Sequence, residues 1–209
     1  MQEFDASRIT LTPVDLPRPV DAKKVAFVLD NVFTPKECED WISLTERTGY
    51  EMALVSTNMG DVLDRSYRHS MRCMIDDQEM ADVVFNRIKD FLPQSFGNWK
   101  LKRLNERLRF LRYENGDFFA PHQDGCFVTS DRTQRSYVTI QLYLSEGAEG
   151  GETTFLFNPS KRTEKDVAVI PKVGRVLVFR HDIWHEGSLV TGGRKYTVRT
   201  DVMYERTAE

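Results

Sequence analysis

Apolar and polar residues change their rhythm partway along this chain, from helix-like spacing in the first half to short alternating runs in the second. Residues 25–29 form a brief apolar run suited to a buried strand. A helix is predicted next, with Thr34 as its cap, Pro35 as its first residue, Glu37 closing a capping box and Gly49 ending it. A second helix is predicted from Asp77 to Phe91. Met80, Val83, Val84, Ile88 and Phe91 or Leu92 make its apolar stripe, and Pro93 stops it. Between the helices, residues 56–70 read as polar and irregular, with a turn at Asn58-Met59-Gly60-Asp61. Such a stretch is a candidate mobile loop over a pocket, or a plain surface loop.

From about residue 104 the texture becomes β-rich, with strands predicted at 105–113, 136–144, 153–157, 167–170, 175–180 and 195–204. Many short strands without long helices between them predict a mainly β fold. The expected form is an antiparallel double-sheet jelly roll (a double-stranded β-helix core) with the two helices flanking one outer face. Residues 1–22 carry Pro13, Pro17 and Pro19 and read as an extended arm, leaving 23–209 as a single domain. No repeat, heptad or low-complexity tract interrupts that plan.

Composition narrows the setting. A net charge of -3 gives no electrostatic case for nucleic acid as a partner. No apolar run approaches the roughly 20 residues needed to cross a bilayer, so no membrane association is expected. The start of the chain lacks the basic flank and apolar run of a secretory signal. Three cysteines, Cys38, Cys73 and Cys126, share no spacing and make a poor disulfide framework. A cytoplasmic location, or a nuclear one in a eukaryote, is the expectation.

Chemistry enters with His122, Asp124 and His185. Ala120-Pro121-His122-Gln123-Asp124-Gly125 offers an imidazole and a carboxylate at i and i+2, a spacing that shares one face of a strand, with Pro121 and Gly125 permitting a bend. His185, in Trp184-His185-Glu186-Gly187, follows the apolar run 176–179. Two imidazoles and one carboxylate on one side of an ion leave its other side open, as non-haem Fe(II) oxygenases require. Lys195, further along, could hold the far carboxylate of 2-oxoglutarate. A rival is His181-Asp182-Ile183-Trp184-His185, loosely like the zinc-protease motif H-E-x-x-H. That motif needs a helix, and the flanks here are a strand and a glycine turn.

Four ordered blocks carry a resemblance: residues 112–124, 139–144, 150–155 and 171–179 running on to His185 and Lys195. They resemble the prolyl 4-hydroxylase-like branch of the Fe(II)/2-oxoglutarate-dependent dioxygenases over roughly residues 25–205. The resemblance implies a jelly-roll core, His122, Asp124 and His185 as iron ligands, and Lys195 against the cosubstrate. It further implies that Tyr113 points its hydroxyl at 2-oxoglutarate and that Thr153 assists. Lys195, Thr197 and Arg199 alternate and should face one side, so Thr197 and Arg199 stand as further anchors for the cosubstrate.

The implied reaction consumes O2 and 2-oxoglutarate, releases succinate and carbon dioxide, and hydroxylates an unactivated C–H bond, with ascorbate a candidate reductant. A prolyl residue of a protein is the leading substrate. Without a signal sequence, collagen is not expected. A free amino acid or other small carboxylate metabolite is the alternative, and a non-catalytic jelly-roll binding module is a third reading from a different class. If Tyr113 faces the cavity, period two places Leu111, Arg109, Arg107 and Asn105 on the same face. Asn105, Arg107 and Arg109 are therefore candidate contacts for an anionic substrate, unless that strand runs beyond the barrel into solvent. Glu186 reads as a neighbour of the metal ligand or a surface residue.

Overall fold

Strand alternation builds a large antiparallel sheet whose two faces have different partners. In the computed structural model, which describes residues 4–57 and 60–207, ten strands join this sheet. Its central path runs through Thr10–Pro13, Ala26–Asp30, Val176–Arg180, Gln134–Tyr143, Lys195–Arg206, Arg107–Tyr113, Met71–Asp76 and Glu51–Met52. A second sheet of five strands is ordered Val167–Val169, Thr153–Phe155, His185–Gly187, Phe118–His122 and Arg68–His69. The chain is thus dominated by strands, with short helices at its flank.

Parity decides which side chains go where. Phe27, Leu29, Val138, Ile140, Leu142, Val176, Val178 and Val198 turn toward the helices and form the main core. Their neighbours Ala26, Val28, Tyr143, Leu177 and Phe179 turn the other way, packing with Phe155 and Val169 of the small sheet. Tyr196, Val198, Val202 and Tyr204 of Lys195–Arg206 join the main core, while Lys195 and Arg199 line the cavity between the sheets.

Helix α1 spans Pro35–Thr48 with the expected capping box and Gly49 as its cap. Trp41 of α1 packs on Phe33 and Phe110, with ring centroids 5.1 and 5.8 Å apart. Helix α2 spans Gln78–Ile88, capped by Asp77, and tightens into a 3-10 turn at Lys89–Phe91. Its buried stripe is Ala81, Val84 and Ile88, continued by Leu92, whereas Val83 and Phe91 are exposed. Of the expected stripe, Val84, Ile88 and Leu92 are buried and Met80 packs against the core, while Val83 faces out and Ala81 is buried instead.

Other boundaries differ in instructive ways. The segment 56–70 is not simply irregular: Val55–Thr57 pairs with Gly60–Val62, and Arg68–His69 joins the edge of the small sheet. Asn58 and Met59 of the expected turn lie outside the described residues. Thr10–Pro13, in the stretch read as an arm, pairs with Ala26–Asp30 as an edge strand, a place that tolerates proline. The strand expected from residue 105 begins at Arg107. Asn105 precedes it, its Oδ1 accepting the Arg107 N–H at 3.0 Å, and this local bond closes a turn rather than extending the pleat. Among the described residues no helix is long and apolar enough to cross a membrane.

Candidate metal centre

The small sheet brings the two histidines together by register. His122 at the end of Phe118–His122 stands directly opposite His185 at the start of His185–Gly187. Asp124 lies just beyond the strand, so strand parity is not what places it. Its N–H donates to the His181 carbonyl at 2.9 Å, which turns the carboxylate back toward the imidazoles. The three donor atoms lie within 4.8 Å of one another. Two bonds of about 2.1 Å to one first-row metal ion span at most about 4.2 Å. The separations of Asp124 from His122 Nε2 (3.8 Å) and from His185 Nε2 (3.9 Å) are spans one ion can bridge.

The protonation of the site also fits a metal. His122 Nδ1 donates to the Ala120 carbonyl at 2.7 Å and His185 Nδ1 to the Ile183 carbonyl at 2.9 Å. A carbonyl only accepts, so each ring carries its proton on Nδ1 and leaves Nε2 bare. Burial, reinforced by the neighbouring His185, pushes His122 down to about 3. Burial lowers His185 as well. Burial alone would raise Asp124, but Arg199 and the imidazoles outweigh it and hold the carboxylate well below its usual range. Two neutral imidazoles and one carboxylate form the donor set that suits ferrous iron.

Both oxygens of Asp124 are held. Arg199 approaches Oδ1 at 3.1 Å and Thr139 donates its hydroxyl to Oδ2. Thr139 also meets His181 Nδ1 at 2.9 Å, and His181 Nε2 meets Ser136 Oγ at 2.8 Å. His181 is therefore a buried support behind the carboxylate. The zinc-helix alternative is overturned, since His181 lies outside the donor cluster and His185 begins a strand.

Lys195 lies deeper. It is 2% exposed, and its Nζ has no ion-pair partner among the described residues, resting 4.9 Å from the Tyr113 ring centroid and 5.9 Å from that of Tyr143. Burial pushes its ammonium down to about 8, with Glu152 pulling weakly the other way. Gly151 makes room for its stem: a Cβ there would lie 3.3 Å from Lys195 Cδ and 2.9 Å from Val190 Cγ2, and φ is +72°. The glycine pair of the 150–155 block thus has a steric cause. Thr153 lines the same chamber, and its hydroxyl accepts from Gln141 Nε2 and Tyr143 OH, both at 2.8 Å, keeping its own proton to donate. Gln141 and Tyr143 were not singled out from sequence. Their signal is the odd positions 139, 141 and 143, polar or hydroxyl-bearing against the apolar Val138, Ile140 and Leu142.

The remaining candidates separate. Tyr113, Arg109 and Arg199 line the inner chamber with Lys195 and the three donors. Thr197 is buried away from the chamber lining, and its hydroxyl has no partner among the described residues. Arg199 is bound by Asp124 and, at 3.2 Å, by Asp201. Arg109 pairs with the same Asp201 at 3.1 Å. Arg107 lines only the outer groove of about 480 Å³ and forms a two-point pair with Asp76. Asn105 is buried and lines neither space. Glu186 lines the inner chamber's edge and pairs with Arg162 at 2.6 Å.

Comparison with known proteins gives the same direction. The sequence profile of the 2OG-Fe(II) oxygenase superfamily matches residues 108–200. A probable prolyl 4-hydroxylase 8 of Arabidopsis thaliana is 32% identical over 136 residues, covering 62% of this chain and 44% of the relative. Prolyl 4-hydroxylase 5 of the same plant is 30% identical over 190 residues, covering 80% of this chain and 62% of the relative. The chain therefore spans about half to three-fifths of the length of these relatives. A solved viral collagen prolyl hydroxylase from Paramecium Bursaria Chlorella virus-1 shares the fold, with a TM-score of 0.61 at 20% identity, covering 88% of this chain and 97% of that one.

Proposed function

Because the chain belongs to the 2OG-Fe(II) oxygenase superfamily, we propose that it is an Fe(II)- and 2-oxoglutarate-dependent dioxygenase that hydroxylates an unactivated C–H bond, with a prolyl residue of a protein as its leading substrate. The observation that carries this is the bare Nε2 pair and carboxylate of His122, His185 and Asp124, set in one chamber with Lys195, which has no ion-pair partner among the described residues. We read the two facing sheets as a jelly roll, a double-stranded β-helix, and residues 23–209 as its domain, with Thr10–Pro13 of the preceding arm adding an edge strand to it.

Ferrous iron held by the three donors, with bound 2-oxoglutarate, would supply the oxidising chemistry: O2 and the cosubstrate become succinate and carbon dioxide while one oxygen atom enters the substrate. The chain's own residues bind and orient. Lys195, rather than Arg199, is the partner for the far carboxylate, since Arg199 is already engaged by Asp124 and Asp201 and Lys195 has no ion-pair partner among the described residues. In a chamber sheltered from water a charge-assisted bond there is strong. Tyr113 and Thr153 offer hydroxyl protons to the same ligand. Thr139 and Arg199 fix the carboxylate of Asp124, so the donor set is held before the metal arrives. The three free cysteines accord with a reducing compartment.

Oxidation of a small carboxylate metabolite is the second reading, favoured by the arginine-lined outer groove. The test is anaerobic loading with Fe(II), addition of 2-oxoglutarate and O2, and quantification of succinate, followed by mass spectrometry for a 16 Da gain on prolyl peptides and on amino acids. Iron binding without succinate from any mixture would favour the non-catalytic module and overturn the enzyme.

A further inference from the structure

The outer groove is lined by Arg68, Arg72, Arg107, Arg109 and Arg199. Four of these are matched. Arg72 faces Glu51 at 3.0 Å and Asp61 at 3.7 Å, Arg107 faces Asp76 at 2.7 Å, and Arg109 and Arg199 share Asp201, with Arg199 also on Asp124.

Arg68 is different. Its Nε donates to Ser70 Oγ at 3.2 Å and a terminal nitrogen to the Leu54 carbonyl at 3.4 Å, both neutral acceptors. Among the described residues no carboxylate comes within ion-pair reach of it. Its guanidinium sits 4.4 Å from the Phe119 ring centroid, and that same ring stacks on His122 at 3.7 Å. Arg68 lines both the inner chamber and the outer groove, so this cation stands where the two meet, one aromatic ring from a metal ligand. Burial works against its charged form; Tyr113 eases this, while Arg199 and Arg72 add to it. Tyr67 stands edge-on to Phe119 at 5.9 Å and continues the wall with aromatic carbon.

Two cations with no carboxylate partner among the described residues therefore bracket the donor set, Lys195 inside and Arg68 at the mouth. With Lys195 assigned to the cosubstrate, Arg68 is left for a second anion, and its planar fork suits a carboxylate. We propose that Arg68 receives a carboxylate carried by the substrate, and that the molecule oxidised is an anion held against the Phe119–Tyr67 wall. This deepens the dioxygenase reading above and rests on it.

The test uses matched probes that differ only in that charge, on the full chain with Fe(II) and 2-oxoglutarate. N-acetyl-L-proline against N-acetyl-L-prolinamide probes a terminal carboxylate, and acetyl-Ala-Pro-Glu-amide against acetyl-Ala-Pro-Gln-amide probes a side-chain one. Binding is measured anaerobically by calorimetry and coupled succinate release in air. The expected result is that at least one acid binds ten times or more tightly than its amide. In Arg68→Met that preference should shrink to within about twofold, with Arg68→Lys intermediate. The pair showing the effect identifies the source of the carboxylate. If neither acid outcompetes its amide, if Arg68→Met keeps the preference, or if it loses 2-oxoglutarate affinity instead, the proposal is overturned. Absence of 2-oxoglutarate turnover by the native protein would strike the dioxygenase reading itself, and succinate release in the absence of substrate tells the two failures apart.

Discussion

Replacing Lys195 with methionine should make the empty protein more stable and at the same time deprive it of its cosubstrate. The ammonium is 2% exposed and its pKa drops from 10.5 to about 8. At about 1.4 kcal/mol per pH unit, holding that charge in the fold costs about 3 kcal/mol at pH 7. Methionine fills a similar volume without the charge. It forfeits the cation–π contact with Tyr113, about 0.5–1 kcal/mol, so a net gain of roughly 2–3 kcal/mol is expected. In a chain of this size that is a rise in Tm of about 4–12 °C. The pH dependence has a definite sign. The unfolded chain keeps the Lys195 proton up to about 10.5 and the folded one only to about 8, so parent stability rises with pH between those values. The advantage of Lys195→Met should thus be full below pH 8 and gone near pH 10.5. Metal-free melts at pH 7, 9 and 10.5 measure this. Melts with Mn(II) and 2-oxoglutarate measure the second half: the parent gains stability from the ligand and the variant does not. A variant that melts at or below the parent at pH 7, or that keeps the ligand-dependent gain, would refute the assignment of Lys195 as an uncompensated cation reserved for a carboxylate.

Other outcomes follow from the same geometry. Affinity for 2-oxoglutarate should weaken as pH rises above about 8, approaching tenfold per pH unit as the Lys195 ammonium is lost, readable by calorimetry with Mn(II). Thr139→Val leaves Asp124 Oδ2 and His181 Nδ1 without the shared hydroxyl. It should cost about 1–3 kcal/mol of stability and about 10–100-fold in metal affinity, seen by chemical denaturation and metal titration. Gly151→Ala forces a side chain into φ +72° against Val190 and the Lys195 stem. A loss of about 1–3 kcal/mol together with weaker 2-oxoglutarate binding is expected, and an unchanged melt would argue against that steric account. Asp124→Asn should abolish retention of Fe(II) after desalting, assayed by elemental analysis.

How far the residues themselves spoke depends on the range of the forces involved. The α1 cap was legible because Thr34 and Glu37 are neighbours and satisfy each other's backbone groups locally. The shared face of Lys195, Thr197 and Arg199 was legible because strand parity is a property of the backbone. Their different fates were not. Arg199 meets Asp124 only because the loop after His122 folds back, Thr197 is sealed off by neighbouring strands, and Lys195 is accommodated by a glycine from another segment. Arg68 gave no signal in a stretch that read as loop, since its role depends on pairing with Phe118–His122.

Sequence by itself determined the chemistry on offer: two imidazoles, one acid and a lysine, in β-rich runs whose alternation sends polar residues to one side. Tertiary structure decided which of the cations face an anion and which do not. An ion pair is set by distances of a few ångströms between residues far apart in the chain, and only the register of the sheets fixes those distances.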